Sequence, residues 1–251
     1  MNEYYSRIEP IASSQALKAI ANAKKDNFII LDFDETLFLR NSTAEYIDSL
    51  RPRLLGFIVI FILKALRPWR WLPKPFSGKK TKDWYLVTVP SILLPWSWFL
   101  WQKQAKKLAR KYSNEQIVRA VNTSNKTPVI VATLGFNFIV APILEQMPIE
   151  HDRIVGCKFW DGASDRNLGK LAMVQRILSK SIIDQAILVT DSPDDLPLLE
   201  AVGYPCLCVW LGAKYEDPFR DFWLYRLYQK FKKLSRQNQN ESIPQERSEW
   251  I

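Results

Sequence analysis

The chain has 251 residues, 47% of them apolar and 24% charged, which supports one large domain or a core with an insertion and excludes wholesale disorder. The formal charge of +9 is concentrated in one segment. Residues 51–111 carry 14 Lys or Arg against a single acid, Asp83, a local net of +13, while the other residues net −4.

The opening "MNEYYSRIEPIASS" has no apolar stretch of the kind an export signal needs, so no such signal is expected. A first strand is expected over 27–33, where "NFIIL" is rich in β-branched and aromatic residues. A helical stretch follows over 42–50, then the basic, Trp-rich segment to about 111. A helix over 114–124 leads to a strand over 128–133, a helix over 138–147 and a short strand near 153–160. The helix expected over 169–180 sets Leu171, Val174, Ile177 and Leu178 on one face. A strand (186–190), a helix (194–202) and a strand (205–210) complete the alternation. A basic amphipathic helix over 217–236 and a loose polar tail over 237–251 are expected at the end. Strands alternating with helices indicate an α/β fold, a Rossmann-like parallel sheet flanked by helices. The composition shift divides it into a core, 1–38 and 112–216, and an insertion, 39–111, after the first strand.

The first strand runs into "DFDET", with Asp32 and Asp34 at its carboxyl end. Carboxylates beside a core strand are costly unless paired, hydrogen-bonded or bound to metal. In open α/β sheets the carboxyl ends of strands are also where ligands bind. Two later strands end in polar residues: "PVIVAT" in Thr133, and "AILVT" ahead of "DSPDD" with Asp191, Asp194 and Asp195. Between them Lys170 opens a helix. Singly, each residue has a plain structural reading, since Asp caps turns and helices, Thr ends strands and Lys is usually solvated. Together they form an ordered set.

That set resembles the haloacid dehalogenase (HAD) superfamily, over about residues 27–38 and 126–212, with its four motifs at Asp32-Phe33-Asp34-Glu35-Thr36, Thr133, Lys170 and "TDSPDD". The resemblance implies a phosphatase working through an aspartyl-phosphate. Asp32 would attack phosphorus, and Asp34 would protonate the leaving oxygen and later activate water. Thr133 would donate to a phosphate oxygen, and Lys170 would balance the negative charge. Mg²⁺ would sit on Asp32, the backbone carbonyl of Asp34 and Asp191, with Thr36 and Asp195 in support and Asp194 off the family's spacing. Glu35 stands where many relatives have Gly, and Leu134 and Gly135 offer no substrate-binding side chain. Lys158 is an alternative for the lysine role, but falls in a strand or loop.

In this resemblance the insertion is a cap. It contains "LLGFIVIFIL" (54–63), about 15 Å as a helix, and "YLVTVPSILLPWSWFLW" (85–101), interrupted by Pro90 and Pro95. Lys and Arg flank both runs, and six of the ten Trp lie in the segment. Positive charge on both flanks favours a re-entrant or interfacial arrangement at the cytoplasmic face of a membrane over a simple crossing. A soluble cap with a basic rim remains open. Nucleic acid is not expected as a partner, because the long uncharged runs have no role there. More narrowly, the hydrophobic cap with "DGASDRNLGK" is similar to HAD domains associated with UbiA-type prenyltransferases. That similarity implies lipid-linked phosphate as substrate and a prenyltransferase-type membrane partner. A soluble small-metabolite phosphatase and a non-catalytic partner subunit are the alternatives. Cys157, Cys206 and Cys208 are expected to be buried thiols, and His151 a surface residue.

Overall fold

The computed structural model describes residues 8–24, 27–124, 127–226 and 229. Residues up to Glu216 form one compact unit, and those from Asp217 a second.

The first unit is built on five parallel strands: β1 (Ile29–Leu31), β2 (Val129–Phe136), β3 (Arg153–Cys157), β4 (Ile187–Thr190) and β5 (Tyr204–Leu207), in the order β3-β2-β1-β4-β5. The short β1 is wholly buried at the centre, with Ile29 opposite both Val129 and Ile187. Strands covered on both faces read as unbroken apolar runs, as Ile29–Leu31 of β1 and Ile187–Val189 of β4 do. The sheet is the expected α/β, Rossmann-like one, with helices flanking it.

Several expected boundaries move. The strand expected to end at Thr133 continues to Phe136, but its register with β3 breaks between Ala132 and Phe136. Thr133 therefore lies at an irregularity inside the strand rather than at its end. The helix expected over 169–180 stops early, at Gln175, and a separate helical turn follows at Lys180–Ile183. A helix α8 (Gly162–Leu168) ends at Gly169, whose φ of 86° stops one helix and starts the next, α9 (Lys170–Gln175). The expected helix over 194–202 begins as a 3-10 turn, Pro193–Asp195, before a single helical turn, Leu196–Leu199.

Helices α1 (Ser13–Ala21) and α6 (Glu115–Thr123) pack on each other, and α7 (Asn137–Leu144) packs on β2 and β3. Between β1 and β2 the insertion contributes α2 (Ser42–Ser49), α3 (Arg53–Leu66), α4 (Lys82–Leu93) and α5 (Ser97–Tyr112). Asn41 caps α2 by accepting from the Ala44 amide at 3.0 Å. The long apolar run 85–101 does not form one helix, because α4 ends at Leu93 and Pro95 precedes α5. Among the described residues no helix is long and apolar enough to cross a membrane. At 14 residues, α3 spans roughly 21 Å against a bilayer core of about 30 Å.

Side chains tie the insertion to the core. Trp101 donates its indole N–H to the Ile139 carbonyl at 3.0 Å, and Trp84 donates to the Phe159 carbonyl at 2.9 Å. Arg166 of α8 donates to the Lys80 carbonyl (2.7 Å), to Asp83 Oδ2 (2.6 Å) and to the Leu134 carbonyl of β2 (2.6 Å). All three cysteines are free and buried. In the second unit a helical turn spans 223–226. Apart from Gln229, the rest of the helix expected to 236, and the tail 237–251, lie outside the described residues.

Candidate active site

Asp32 is the first residue beyond β1. Its amide donates to the Val189 carbonyl at 2.9 Å, so the chain leaves the sheet only after positioning this carboxylate. Oδ1 accepts from the Phe33 amide (2.8 Å) and from Lys170 Nζ (2.7 Å). Oδ2 accepts from Thr190 Oγ1 at 3.1 Å. Lys170, first residue of α9, also donates to Asp195 Oδ2 at 2.5 Å. One buried ammonium thus lies between two buried carboxylates. The Thr190 hydroxyl is 2.6 Å from the same Asp195 oxygen. It carries one proton, so it serves Asp32 or Asp195 at any moment, and the shorter distance favours Asp195.

Asp34 points into the same region from the turn after β1. Its Oδ1 accepts from the Ser42 amide at the start of α2, at 2.6 Å. A β-carbon added to Gly135 would lie 3.1 Å from Thr133 Oγ1 and 3.4 Å from Asp34 Oδ2. The absence of a side chain there lets the Thr133 hydroxyl and the Asp34 carboxylate share one small space. Thr133 Oγ1 accepts from the Gly135 amide at 2.8 Å, so its own proton stays free to donate elsewhere. Asp191 accepts from the Thr36 hydroxyl at 3.1 Å, and Thr36 Oγ1 accepts in turn from the Asp191 amide. The side chains of Asp32, Asp34, Thr36, Thr133, Lys170, Asp191 and Asp195 all fall around the carboxyl ends of β1, β2 and β4.

Four carboxylates facing one ammonium leave excess negative charge, and the proton affinities follow. Burial pushes Asp32 up to about 6 against the pull of Lys170, with Asp195 and Asp191 adding to the rise. Burial likewise raises Asp34 to about 6, opposed by its hydrogen bond from Ser42. Asp191 is raised to about 6 by burial, opposed by the Thr36 hydroxyl. Burial alone would lower Lys170, but the Asp32 and Asp195 charges outweigh it and hold the ammonium above the usual lysine range.

Among the described residues no three His, Cys, Asp or Glu side chains form a metal cage. The ligands that the resemblance implies, Asp32, Asp191 and the backbone carbonyl of Asp34, would be a sparser donor set. That set fits Mg²⁺, which takes one or two carboxylates and fills its remaining positions with water and phosphate oxygens. The uncompensated charge of the cluster points the same way.

Of the remaining candidates, Asp194 is exposed and its amide donates to Ser192 Oγ, outside the cluster. Lys158 has a side chain 71% exposed and pairs with Asp161 at 3.9 Å. Glu35 has a φ of 61°, in the left-handed region that favours glycine. Sequence reasoning missed Thr190 and Ser42. Thr190 carried one signal, as the polar end of an otherwise apolar strand beside Asp191.

No family model matches the sequence, and no curated protein matches it. Two solved structures align over most of the chain. A protein of unknown function from Bordetella pertussis Tohama I is 16% identical, over 82% of this chain and 96% of its own, with a TM-score of 0.47. A phosphoserine phosphatase carrying a phospho-aspartyl intermediate analogue is 15% identical, over 80% of this chain and 99% of its own, with a TM-score of 0.37.

Proposed function

We propose that the chain is a HAD-type phosphomonoester hydrolase, working through a phosphorylated Asp32 on a lipid-linked or membrane-delivered phosphate at a membrane surface. The observation that carries the chemistry is the Asp32–Lys170–Asp195 chain of ion pairs at the sheet's central strand, with Asp34 and Thr133 meeting beside it.

In this reading an Asp32 oxygen forms a bond to phosphorus as the bond to the leaving oxygen breaks. Asp34, raised to about 6, holds a proton within reach of neutral pH and gives it to that oxygen. It then takes a proton from the water that attacks the aspartyl-phosphate, releasing phosphate and restoring Asp32. Thr133 donates to a phosphate oxygen. Lys170 holds Asp32 in place, while Asp195, itself held by the Thr190 hydroxyl, holds Lys170. When bound by Asp32, Asp191 and the Asp34 carbonyl, Mg²⁺ supplies the positive charge that the dianionic phosphate lacks here.

The membrane part of the reading rests on the surface of the insertion. Helix α3 buries Gly56, Ile60 and Leu63 and exposes Leu54, Ile58, Ile62 and Leu66 on its other side. Exposed apolar side chains continue on α4 and α5 at Ile92, Leu93 and Phe99. An apolar face inside a segment of net +13 suits an anionic bilayer.

The test is phosphate release from an aryl phosphate by purified protein in mild detergent, with Mg²⁺ or chelator, for wild type and Asp32→Asn. Metal-dependent turnover abolished by Asp32→Asn is expected. Folded, metal-loaded protein inactive on aryl, sugar and lipid phosphates alike would sink the enzymatic reading in favour of a docking subunit. Flotation with anionic vesicles tests the surface, and failure to float would leave a soluble small-metabolite phosphatase.

A further inference from the structure

Among residues 51–111, which carry 14 Lys or Arg, Asp83 is the single acid. Its partner is not one of those neighbouring cations but Arg166, on α8 of the core. The guanidinium is only 12% exposed, and all three of its nitrogens donate. Nη2 reaches Asp83 Oδ2 (2.6 Å) and Nε the Lys80 carbonyl (2.7 Å), both in the insertion, while Nη1 reaches the Leu134 carbonyl of β2 (2.6 Å). A planar fork with fixed donor directions suits three acceptors from two parts of the chain, as an ammonium would not.

Arg166 is tied to two residues of the site. Leu134 stands between Thr133 and Gly135, and the Gly135 amide holds Thr133 Oγ1 at 2.8 Å. The register between β2 and β3 breaks over this stretch. The Leu134 carbonyl is held there by Arg166 and by Cys157 Sγ at 3.3 Å. Arg166 also lies four residues ahead of Lys170, on a helix that ends at Gly169. The neighbouring Asp165 is buried; it accepts from the Lys158 amide (3.1 Å) and from Arg176 just past α9 (3.0 Å). Asp165 therefore clamps α8 to α9, and a displacement of α8 carries Lys170 with it. On its other side α8 is fastened to the insertion, by Arg166 and by Asn167, which donates to the Pro75 carbonyl at 2.7 Å.

We infer that Arg166 is a positioning residue for the phosphate transfer, and that Asp83 makes its action depend on the insertion being docked on α8. Arg166 works through Thr133 and Lys170 and does not itself touch the phosphate. The inference rests on the proposed phosphatase reading and gives that site a control. With the insertion docked, the Thr133 stretch and the start of α9 are held in one arrangement. With it undocked, the carboxylates remain but the groups around them lose their alignment. A misplacement of about 1 Å at a reacting centre costs on the order of 100-fold in rate, so small shifts suffice.

The test compares kcat and KM on an aryl phosphate with Mg²⁺ for wild type, Arg166→Ala, Arg166→Lys and Asp83→Asn. Urea denaturation fixes a temperature at which each is folded. Arg166→Ala and Arg166→Lys are expected to lose at least about tenfold in kcat, with a smaller change in KM. Asp83→Asn, at a side chain 41% exposed, keeps the fold and is expected to lose several-fold in kcat. Guanidinium ion, at concentrations too low to denature, is expected to restore part of the kcat of Arg166→Ala and to leave wild type unchanged. Lowered urea midpoints with wild-type kcat in all three variants and no rescue would show a structural role only; that result overturns the inference and leaves the phosphatase reading standing. A loss in Arg166→Ala with wild-type kcat in Asp83→Asn would overturn the dependence on the insertion. No wild-type turnover on any phosphate would overturn the phosphatase reading, and the positioning role with it.

Discussion

Replacing Lys170 by Met separates what the buried ammonium does for the fold from what it does for chemistry. The ammonium lies 2.7 Å from Asp32 and 2.5 Å from Asp195, and all three side chains are almost wholly buried. Removing one partner of a buried pair typically costs about 3–5 kcal/mol, because the remaining charge has neither water nor a counter-ion. Against a total stability of about 5–15 kcal/mol, Lys170→Met leaves a marginal protein at neutral pH. The cost depends on pH. Burial already raises Asp32 to about 6, and without Lys170 it binds its proton more tightly still in the folded state than in the unfolded one. Its stabilising contribution is therefore present at low pH and lost as pH rises through the raised folded-state value. Urea denaturation without metal is expected to show a loss of about 3–5 kcal/mol at pH 7.5 and a clearly smaller loss at pH 5. Adding Asp195→Asn to Lys170→Met removes one orphaned charge and is expected to recover part of the stability at pH 7.5 but none of the phosphatase activity. A loss below about 1 kcal/mol at pH 7.5, or an equal loss at both pH values, would refute the ion-pair reasoning.

Three further outcomes follow from particular contacts. Glu35→Gly removes a left-handed non-glycine residue, worth about 1–2 kcal/mol, against a glycine entropy cost of about 0.5–1 kcal/mol. Thermal denaturation is expected to show an unchanged or slightly raised midpoint, and a clear drop would mean the Glu35 side chain is needed. Arg166→Ala loses three hydrogen bonds, one to a carboxylate, from a side chain only 12% exposed. It is expected to cost about 2–3 kcal/mol and to speed proteolytic cutting within residues 67–82 before cutting in the sheet. Tyr46→Phe is expected to cost about 1 kcal/mol at pH 8, since Ser91 keeps its bond to Val87. Burial raises the Tyr46 hydroxyl to about 12, so wild type should lose this advantage as pH climbs from 10 toward 12, and the two denaturation curves should converge there.

Much of the site was legible because each acid stood directly after an apolar strand. "FIIL" before Asp32 and "AILV" before Thr190 and Asp191 give both the strand and its end. Lys170 was legible as a helix start, although Gly169 and the helix ending there were not separated from it. What could not be read depends on partners far along the chain. Arg166 sits in a polar stretch, "GASDRNL", and its role appears only when Asp83, 83 residues away, folds against it. Thr133 reads as a strand end because it is the first polar residue after the apolar run 128–132. The strand continues because Phe136 pairs with Cys157 beyond a break in register. Ser42 reaches Asp34 with its backbone amide, which no side-chain pattern announces.

The central position of β1 has a consequence for the order in which the protein can form during synthesis. Ile29 pairs with Val129 on one side and Ile187 on the other, so the middle strand is the first made and the last to be completed. At about 5–20 residues per second, the chain between the apolar helix α3 and Thr190 takes roughly 6–25 s to make. Throughout that interval α3, joined by α4 and α5 as they emerge, has no finished sheet to fold against. The exposed apolar face of the insertion is therefore presented before the four carboxylates ever come together.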